Sequence, residues 1–163
     1  MKKITYSFEY QVYPSAAELP AADLELLDRA KLAVTSSHAP YSRYHVGAAV
    51  KLADGHIVAG SNQENMAFPA GLCAERVAVF SAVSTYPGVP IAALAITATA
   101  EAFGVSAPVP PCGMCRQAIV EYEMKYGNKI RVILGGLSGE VYVIQGMETL
   151  LPLTFHEDGL AKK

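Results

Sequence analysis

The alternation of helical and strand-like segments in the second half of the chain constrains its fold most. Helical periodicity covers residues 73–84 and 113–126, and apolar strand-like runs cover 91–99 and 130–134. Right-handed crossovers through the helices predict parallel strands. Only six residues, Gly135 to Glu140, separate the strand-like run at 130–134 from a further strand, which begins at Val141. A parallel connection needs about a dozen residues. The sequence therefore predicts an α/β fold with a mixed sheet whose last strand is antiparallel.

The first part of the chain predicts more strands and one further helix. The elements expected there are a strand at 4–13, a helix at 24–34, and a hairpin of strands at 46–52 and 57–59. Asp54-Gly55 between apolar runs is a typical hairpin turn, and Pro14 ends the first strand. That strand lies in an extension over residues 1–20. Three placements stay open for it: at the sheet edge, exchanged between subunits, or over a pocket.

Size and charge exclude several classes of protein. A chain of 163 residues is typical of one domain, 1–163, and buries enough surface to fold without disulfides. Thirteen basic residues against fifteen acidic ones leave a net charge of −2, which argues against nucleic acid as a partner. No apolar signal-peptide core follows Lys2-Lys3, and the apolar run at 91–100 is too short to span a membrane. We expect a cytoplasmic protein with no membrane partner.

Three cysteines carry the main chemical signal. Cys73 begins one predicted helix, and Cys112 and Cys115 begin another; the positive end of a helix dipole favours the thiolate form. The two residues between Cys112 and Cys115 allow both sulfurs to bind one cation, and Cys73 adds a third ligand. No histidine lies within four residues of any cysteine, whereas structural zinc sites are normally closed by four protein ligands. The count favours one catalytic zinc ion per chain.

Charged residues beside the cysteines suggest further roles. Glu75 follows Cys73 by two residues and can carry protons in the same pocket, although an acid in a first helical turn also stabilises its helix. Three thiolates on a divalent cation leave a net charge of −1, so we expect a cation nearby. Arg116, next to Cys115, is one candidate; alternatively it is a surface side chain.

Several segments together resemble a known enzyme family between about Ala39 and Phe155. They are Cys73-Ala74-Glu75-Arg76, Pro111-Cys112-Gly113-Met114-Cys115-Arg116, Ala39-Pro40-Tyr41-Ser42, Val46-Gly47-Ala48-Ala49, Asn62-Gln63-Glu64-Asn65 and Pro69-Ala70-Gly71-Leu72. The chain resembles the small homotetrameric zinc-dependent cytidine deaminases. The resemblance implies a three-layer fold with a mixed five-stranded sheet between helices, to which the N-terminal strand would be an addition. It also implies hydrolysis of cytidine and 2′-deoxycytidine to uridine and 2′-deoxyuridine, with release of ammonia, in pyrimidine salvage.

The resemblance also assigns roles to individual residues. It implies that Cys73, Cys112 and Cys115 bind zinc, that Glu75 carries protons, and that Arg76 hydrogen-bonds the ligand sulfurs. It implies that Asn62 and Glu64 bind ribose, that the ring of Tyr44 stacks in the pocket, and that the Ala74 amide contacts the base. It further implies a homotetramer with shared active sites, in which Phe155 reaches a neighbouring subunit's base. Leu153-Thr154 replaces the family's usual Gly-Ala, so we expect a different local backbone there.

The sequence is also compatible with other functions. A related deaminase acting on another aminopyrimidine nucleoside or a nucleoside antibiotic fits the same motifs, because fold and motif do not fix the substrate. A thiol redox protein would use Cys112 and Cys115 but leave Cys73 and Glu75 without a role. A structural zinc or nucleic-acid-binding module lacks a fourth ligand and a basic charge. Independently of these classes, the alternative to ribose binding by Asn62 and Glu64 is that both only shape a turn, since Asn readily bonds its own backbone.

Overall fold

The computed structural model describes residues 1–157, which form one six-stranded sheet flanked by three helices. The strands are β1 (Gln11–Tyr13), β2 (Tyr44–Leu52), β3 (Ile57–Ser61), β4 (Ile91–Ala100), β5 (Arg131–Gly135) and β6 (Val141–Gln145). The helices are α1 (Ala21–Ala33), α2 (Ala74–Thr85) and α3 (Gly113–Tyr126). Within the described part of the chain, no helix has the length and apolarity that a membrane crossing requires.

The strand order is β1-β6-β5-β4-β2-β3, and the sheet is mixed. Only β4 and β5 pair in parallel among the described strands; β2 pairs antiparallel with both β3 and β4. The short connection from β5 to β6 produces the antiparallel last strand that the sequence predicted. The hairpin of β2 and β3 is also confirmed, with Gly55 at φ 94° in its turn.

Alternating side chains divide the core into two layers around the sheet. Val50 and Ile96 point to the face covered by α2 and α3, where they pack with buried residues such as Ile119. Ala49 and Ala95 point to the opposite face and pack in the cluster that contains residues of α1. Successive side chains of a strand point to opposite faces of the sheet, so a strand with helices on both faces needs apolar residues on both. The predicted three-layer fold is confirmed.

Helix α2 lies directly on β3 because Gly60, the residue of β3 that faces the helix, has no side chain. An ideal Cβ atom at Gly60 would lie 2.5 Å from the backbone nitrogen of Ala78 and 3.0 Å from the carbonyl oxygen of Ala74. No side chain fits into that space, so the backbone of the helix contacts the backbone of the strand. This close packing fixes the first turn of α2 over the sheet.

The predicted N-terminal strand is wrong over most of its length. Only Gln11–Tyr13 pairs with β6, which places this part of the extension at the sheet edge. In this antiparallel register Glu9 would lie opposite Gln145, where β6 ends, and Gly146, at φ 85°, turns the chain away, so the residues before Glu9 have no strand to pair with. Tyr6 and Phe8 are exposed by 52% and 45%. Their alternation therefore does not mark a half-buried strand.

Helix α1 begins earlier than its apolar periodicity indicated. It starts at Ala21, directly after Pro20, instead of at residue 24. The added first turn contains Asp23, which is buried and accepts hydrogen bonds from Nε and Nη2 of Arg131 at 2.9 and 2.7 Å. This ion pair joins α1 to β5.

Candidate active site

The three cysteines converge at the starts of two helices. Cys73 is the residue before α2, Cys112 is the residue before α3, and Cys115 lies in the first turn of α3. The Sγ atoms of Cys73 and Cys112 are 3.9 Å apart, those of Cys112 and Cys115 are 3.5 Å apart, and all three lie within 4.8 Å of one another. Two thiolates on one tetrahedral zinc ion lie about 3.8 Å apart. The cluster thus fits one zinc ion with one coordination position left for a reacting water.

The thiols of Cys73 and Cys115 shift in opposite directions in pKa. A hydrogen bond with Cys115 and the nearby Arg76 guanidinium lower the pKa of Cys73 to about 5, against the opposing effect of burial. The hydrogen bond with Cys73, together with burial, raises the pKa of Cys115. The lowered pKa expected at a helix start is therefore found for Cys73 and not for Cys115. The sulfurs of Cys73 and Cys115 share a proton, and a bound cation would displace it.

Glu75 lies in the same pocket as the sulfurs. It is 4% exposed, and burial, with a smaller contribution from the negative charge of Cys73, raises the pKa of its carboxyl group. Burial and the negative charge of Glu75 also raise the pKa of Tyr44, whose side chain lines the pocket as well. A buried carboxyl group with a raised pKa is suited to taking up and releasing protons.

The pocket has a volume of about 730 Å³ and mostly apolar walls. Most of the predicted site residues line it: Tyr44, Asn62, Glu64, Cys73, Glu75, Arg76 and Cys112. Ala74 is fully buried at the first position of α2, and the buried Cys115 lies behind Cys112. Phe155 is 72% exposed and does not line this pocket. The structure brings together in one chain every predicted site residue except Phe155 and Arg116.

Asn62 bonds the backbone at the start of β2, and Glu64 bonds the backbone of the loop that leads into it. The carboxamide of Asn62 donates to the carbonyl oxygen of Tyr44 and accepts from the amide of Val46, both at 2.8 Å. Oε2 of Glu64 accepts from the amides of Tyr41 and Ser42 at 2.9 and 3.2 Å. These bonds reach residues 16 to 23 positions away, so they join separate segments instead of closing a local turn. Each side chain keeps hydrogen-bonding capacity toward the pocket, and ribose binding stays a prediction.

The two arginines have different partners. Although burial opposes it, hydrogen bonds with the sulfurs of Cys73 and Cys115 raise the pKa of Arg76, whose Nη2 also lies 3.4 Å from the Gly71 carbonyl oxygen. Arg116 donates from Nε to the carbonyl oxygen of Pro111 at 2.8 Å, and from Nη1 to that of Leu150 at 2.7 Å. Arg76 thus lies against the sulfurs and Arg116 against backbone carbonyls. Charge compensation by either residue stays a prediction.

The apolar walls of the pocket were not assigned from the sequence. The rings of Tyr41 and Phe68 meet edge to face, with centroids 6.1 Å apart, and Leu72 and Met114 continue the wall. All four side chains are exposed, with Phe68 at 77% and Met114 at 64%. Their only signal in the sequence is that Tyr41, Leu72 and Met114 lie within the motif segments and that Phe68 directly precedes one. They surround the pocket with apolar surface.

Comparison with known proteins connects this site to a family. Residues 20–127 match the family described as the cytidine and deoxycytidylate deaminase zinc-binding region. The chain belongs to this family. It is 38% identical over 130 residues to a cytidine deaminase of Halalkalibacterium halodurans, covering 80% of this chain and 91% of that protein. It is also 38% identical over 138 residues to a cytidine deaminase of Sporosarcina psychrophila, covering 84% and 93%.

The fold leads to the same family. The crystal structure of a cytidine deaminase from Burkholderia pseudomallei superimposes with a TM-score of 0.70 at 35% sequence identity. The match covers 80% of this chain and 97% of that one. The resemblance drawn from the sequence motifs is thereby confirmed, and the sulfur cluster is a zinc site of a deaminase family.

Proposed function

We propose that this family member catalyses the zinc-dependent hydrolytic deamination of cytidine and 2′-deoxycytidine to uridine and 2′-deoxyuridine. One observation carries the proposal: the buried carboxyl group of Glu75 shares a pocket with three sulfurs that fit one zinc ion. The similarity to cytidine deaminases over most of the chain supports the choice of substrate. Ammonia is the other product.

Glu75 is the proposed proton carrier. Zinc held by Cys73, Cys112 and Cys115 supplies Lewis-acid activation of water. The carboxylate of Glu75 takes one proton from the attacking water and delivers it to N3 of the pyrimidine. It then takes the second proton from the hydroxyl group formed at C4 and delivers it to the departing amino group, which leaves as ammonia. One side chain thus acts first as base and then as acid. Its burial supports this role, because removal from water raises its pKa toward neutrality.

The other pocket residues are proposed to bind the nucleoside. The ring of Tyr44 stacks on the substrate, and the remaining hydrogen-bonding groups of Asn62 and Glu64 bind the ribose hydroxyls. The amide of Ala74 contacts the base, a role supported by its place in the first turn of α2, where backbone N–H groups have no partner within the helix. Arg76, and more distantly Arg116, offset the negative charge of the three thiolates.

We further propose a single-domain, cytoplasmic homotetramer that acts in nucleoside salvage and shares its active sites between subunits. Three unpaired thiols as metal ligands suit a reducing compartment. The exposed ring of Phe155 supports sharing, because a ring that leaves its own pocket is free to enter a neighbour's. Mixing subunits tests this arrangement: a Phe155→Ala chain and a Glu75→Gln chain should together rebuild some complete sites. Mixed tetramers of confirmed mass that recover no activity would place Phe155 outside the neighbour's site.

Ultraviolet assays with ammonia detection test the proposed function. Purified zinc-loaded protein is offered cytidine, 2′-deoxycytidine, cytosine, cytidine monophosphate and a cytosine-nucleoside antibiotic, with Glu75→Gln as the inactive control. We expect turnover of the first two and release of one ammonia per uridine formed. Faster turnover of the antibiotic would favour the related-deaminase alternative. Absence of ammonia, together with disulfide reduction by the protein, would favour a thiol redox role.

A further inference from the structure

The C-terminal tail, Leu151–Phe155, is held by the same helical turn that holds the sulfurs. The side-chain amide of Gln117 donates to the carbonyl oxygen of Phe155 at 3.1 Å and accepts from the amide of Phe155 at 3.3 Å. Arg116 donates to the carbonyl oxygen of Leu150, directly before the tail, at 2.7 Å. The two residues after the zinc ligand Cys115 therefore hold both ends of the tail.

The base of the tail is fixed from two further sides. Oε1 of Glu123, a buried carboxyl group of α3, accepts from the amide of Met147 at 2.8 Å, and its Oε2 accepts from the amide of Glu148 at 3.2 Å. The hydroxyl of Tyr6, from the N-terminal extension, donates to the carbonyl oxygen of Thr149 at 2.9 Å. These bonds fix the base of the tail independently of Gln117.

The tail itself has little that would hold its shape. Leu153 has φ 58°, a left-handed conformation that a residue with a Cβ atom disfavours, and its side chain is fully exposed. The hydroxyl of Thr154 donates to the carbonyl oxygen of Leu151 at 2.7 Å, which closes a turn within the tail. Neither local preference nor apolar burial therefore places the Phe155 ring. Two hydrogen bonds with Gln117, one donated and one accepted, hold the backbone of Phe155 and thereby direct its ring.

We propose that Gln117 is a positioning residue for substrate binding, acting through Phe155. The inference rests on the proposed role of Phe155 in a neighbouring subunit's site. Both ends of the Gln117 carboxamide bond the backbone of one residue, so they fix its orientation as well as its position. Without them the ring must be ordered when substrate binds, and this lowers affinity. Glu75 and the sulfurs are untouched, so the chemical step is unchanged.

The test compares Gln117→Ala, Gln117→Glu and Phe155→Ala with the wild type in zinc content, KM and kcat for cytidine. We expect Gln117→Ala to raise KM about 3- to 10-fold, the equivalent of roughly one net hydrogen bond, with kcat and zinc content unchanged. Gln117→Glu keeps the acceptor and removes the donor, so it should raise KM by less; it decides the matter if the alanine variant does not fold. Glu121→Ala, at an exposed position one turn further along α3, is the matched control.

A double variant separates the inference from the proposed role of Phe155. If Gln117 acts only through Phe155, adding Gln117→Ala to Phe155→Ala should leave KM where Phe155→Ala put it. Additive effects, a fall in kcat at full zinc content, or an unchanged KM in Gln117→Ala would overturn the inference while the role of Phe155 stands. An unchanged KM in Phe155→Ala would instead reject that role, and the inference with it.

Discussion

Replacing Gly60 with alanine tests how the fold positions Glu75. The new Cβ would lie 2.5 Å from the backbone nitrogen of Ala78, whereas ordinary contacts at a Cβ begin at 3.4 Å. The difference, 3.4 − 2.5, requires α2 to move away from β3 by about 0.9 Å. The contacting atoms belong to the helix backbone, so no side chain can rotate aside to relieve the clash.

A shift of α2 separates the parts of the site, because α2 carries Glu75 and follows Cys73, while Cys112 and Cys115 lie at the start of α3. A misplacement of about 1 Å costs on the order of 100-fold in rate. We therefore expect kcat for Gly60→Ala to fall about 100-fold. Overpacking should also lower the free energy of unfolding by about 1 to 3 kcal/mol.

The assay measures kcat at saturating cytidine, zinc content and thermal unfolding. Gly55→Ala is the matched control: Gly55 has φ 94° and nothing within 4 Å of an added Cβ, so alanine there strains the hairpin turn by about 1 to 2 kcal/mol without moving α2. The reasoning is refuted if zinc-loaded Gly60→Ala turns over cytidine as fast as Gly55→Ala.

Three further outcomes are expected. Replacing Cys73, Cys112 or Cys115 by alanine should reduce bound zinc from one equivalent to a small fraction, measured by metal analysis, because the remaining two thiolates form a much weaker site. Glu75→Gln should lower kcat by about 10²- to 10⁴-fold with zinc still bound, and near-normal turnover would limit Glu75 to stabilising its helix. Asp23→Asn should lower the free energy of unfolding by about 3 kcal/mol, since it leaves Arg131 without its charge partner, while kcat at 25 °C stays near wild type; an unchanged melting temperature would contradict this.

The order and direction of most elements could be predicted because their signals are local. The bounds of α3 were predicted correctly, and the connection at 135–140 was too short for anything but an antiparallel return. The prediction of a strand at 4–13 was wrong over most of that range because the alternation of apolar and polar residues describes only that segment. It does not show how long the partner strand, β6, is. β6 stops at Gln145, and that ending is set by Gly146, far along the chain.

Spacing alone predicts only the parts of the site that are close in sequence, and the resemblance to the family linked them to the more distant residues. The spacing of Cys112 and Cys115 pointed to one cation, but the addition of Cys73 depends on α2 and α3 covering the same face of the sheet. Gln117 was missed because a polar residue on a helix gives no sign that it bonds a residue 38 positions away. Glu123 was missed for the same reason: its carboxylate oxygens accept hydrogen bonds from backbone amides up to 25 positions later in the chain.

Arg76 lies between two groups whose charge it affects, the sulfur cluster and the carboxyl group of Glu75. Three thiolates and a divalent cation sum to −1, and each helix N-terminus contributes about +0.5, so the starts of α2 and α3 together offset about that charge. Arg76, which hydrogen-bonds the sulfurs of Cys73 and Cys115, adds a further positive charge to this offset. It acts also on its sequence neighbour: burial raises the pKa of Glu75, and the guanidinium of Arg76 opposes that rise. Placing the cation next to the carboxyl group limits how firmly Glu75 holds its proton, as a group that must both accept and release one requires.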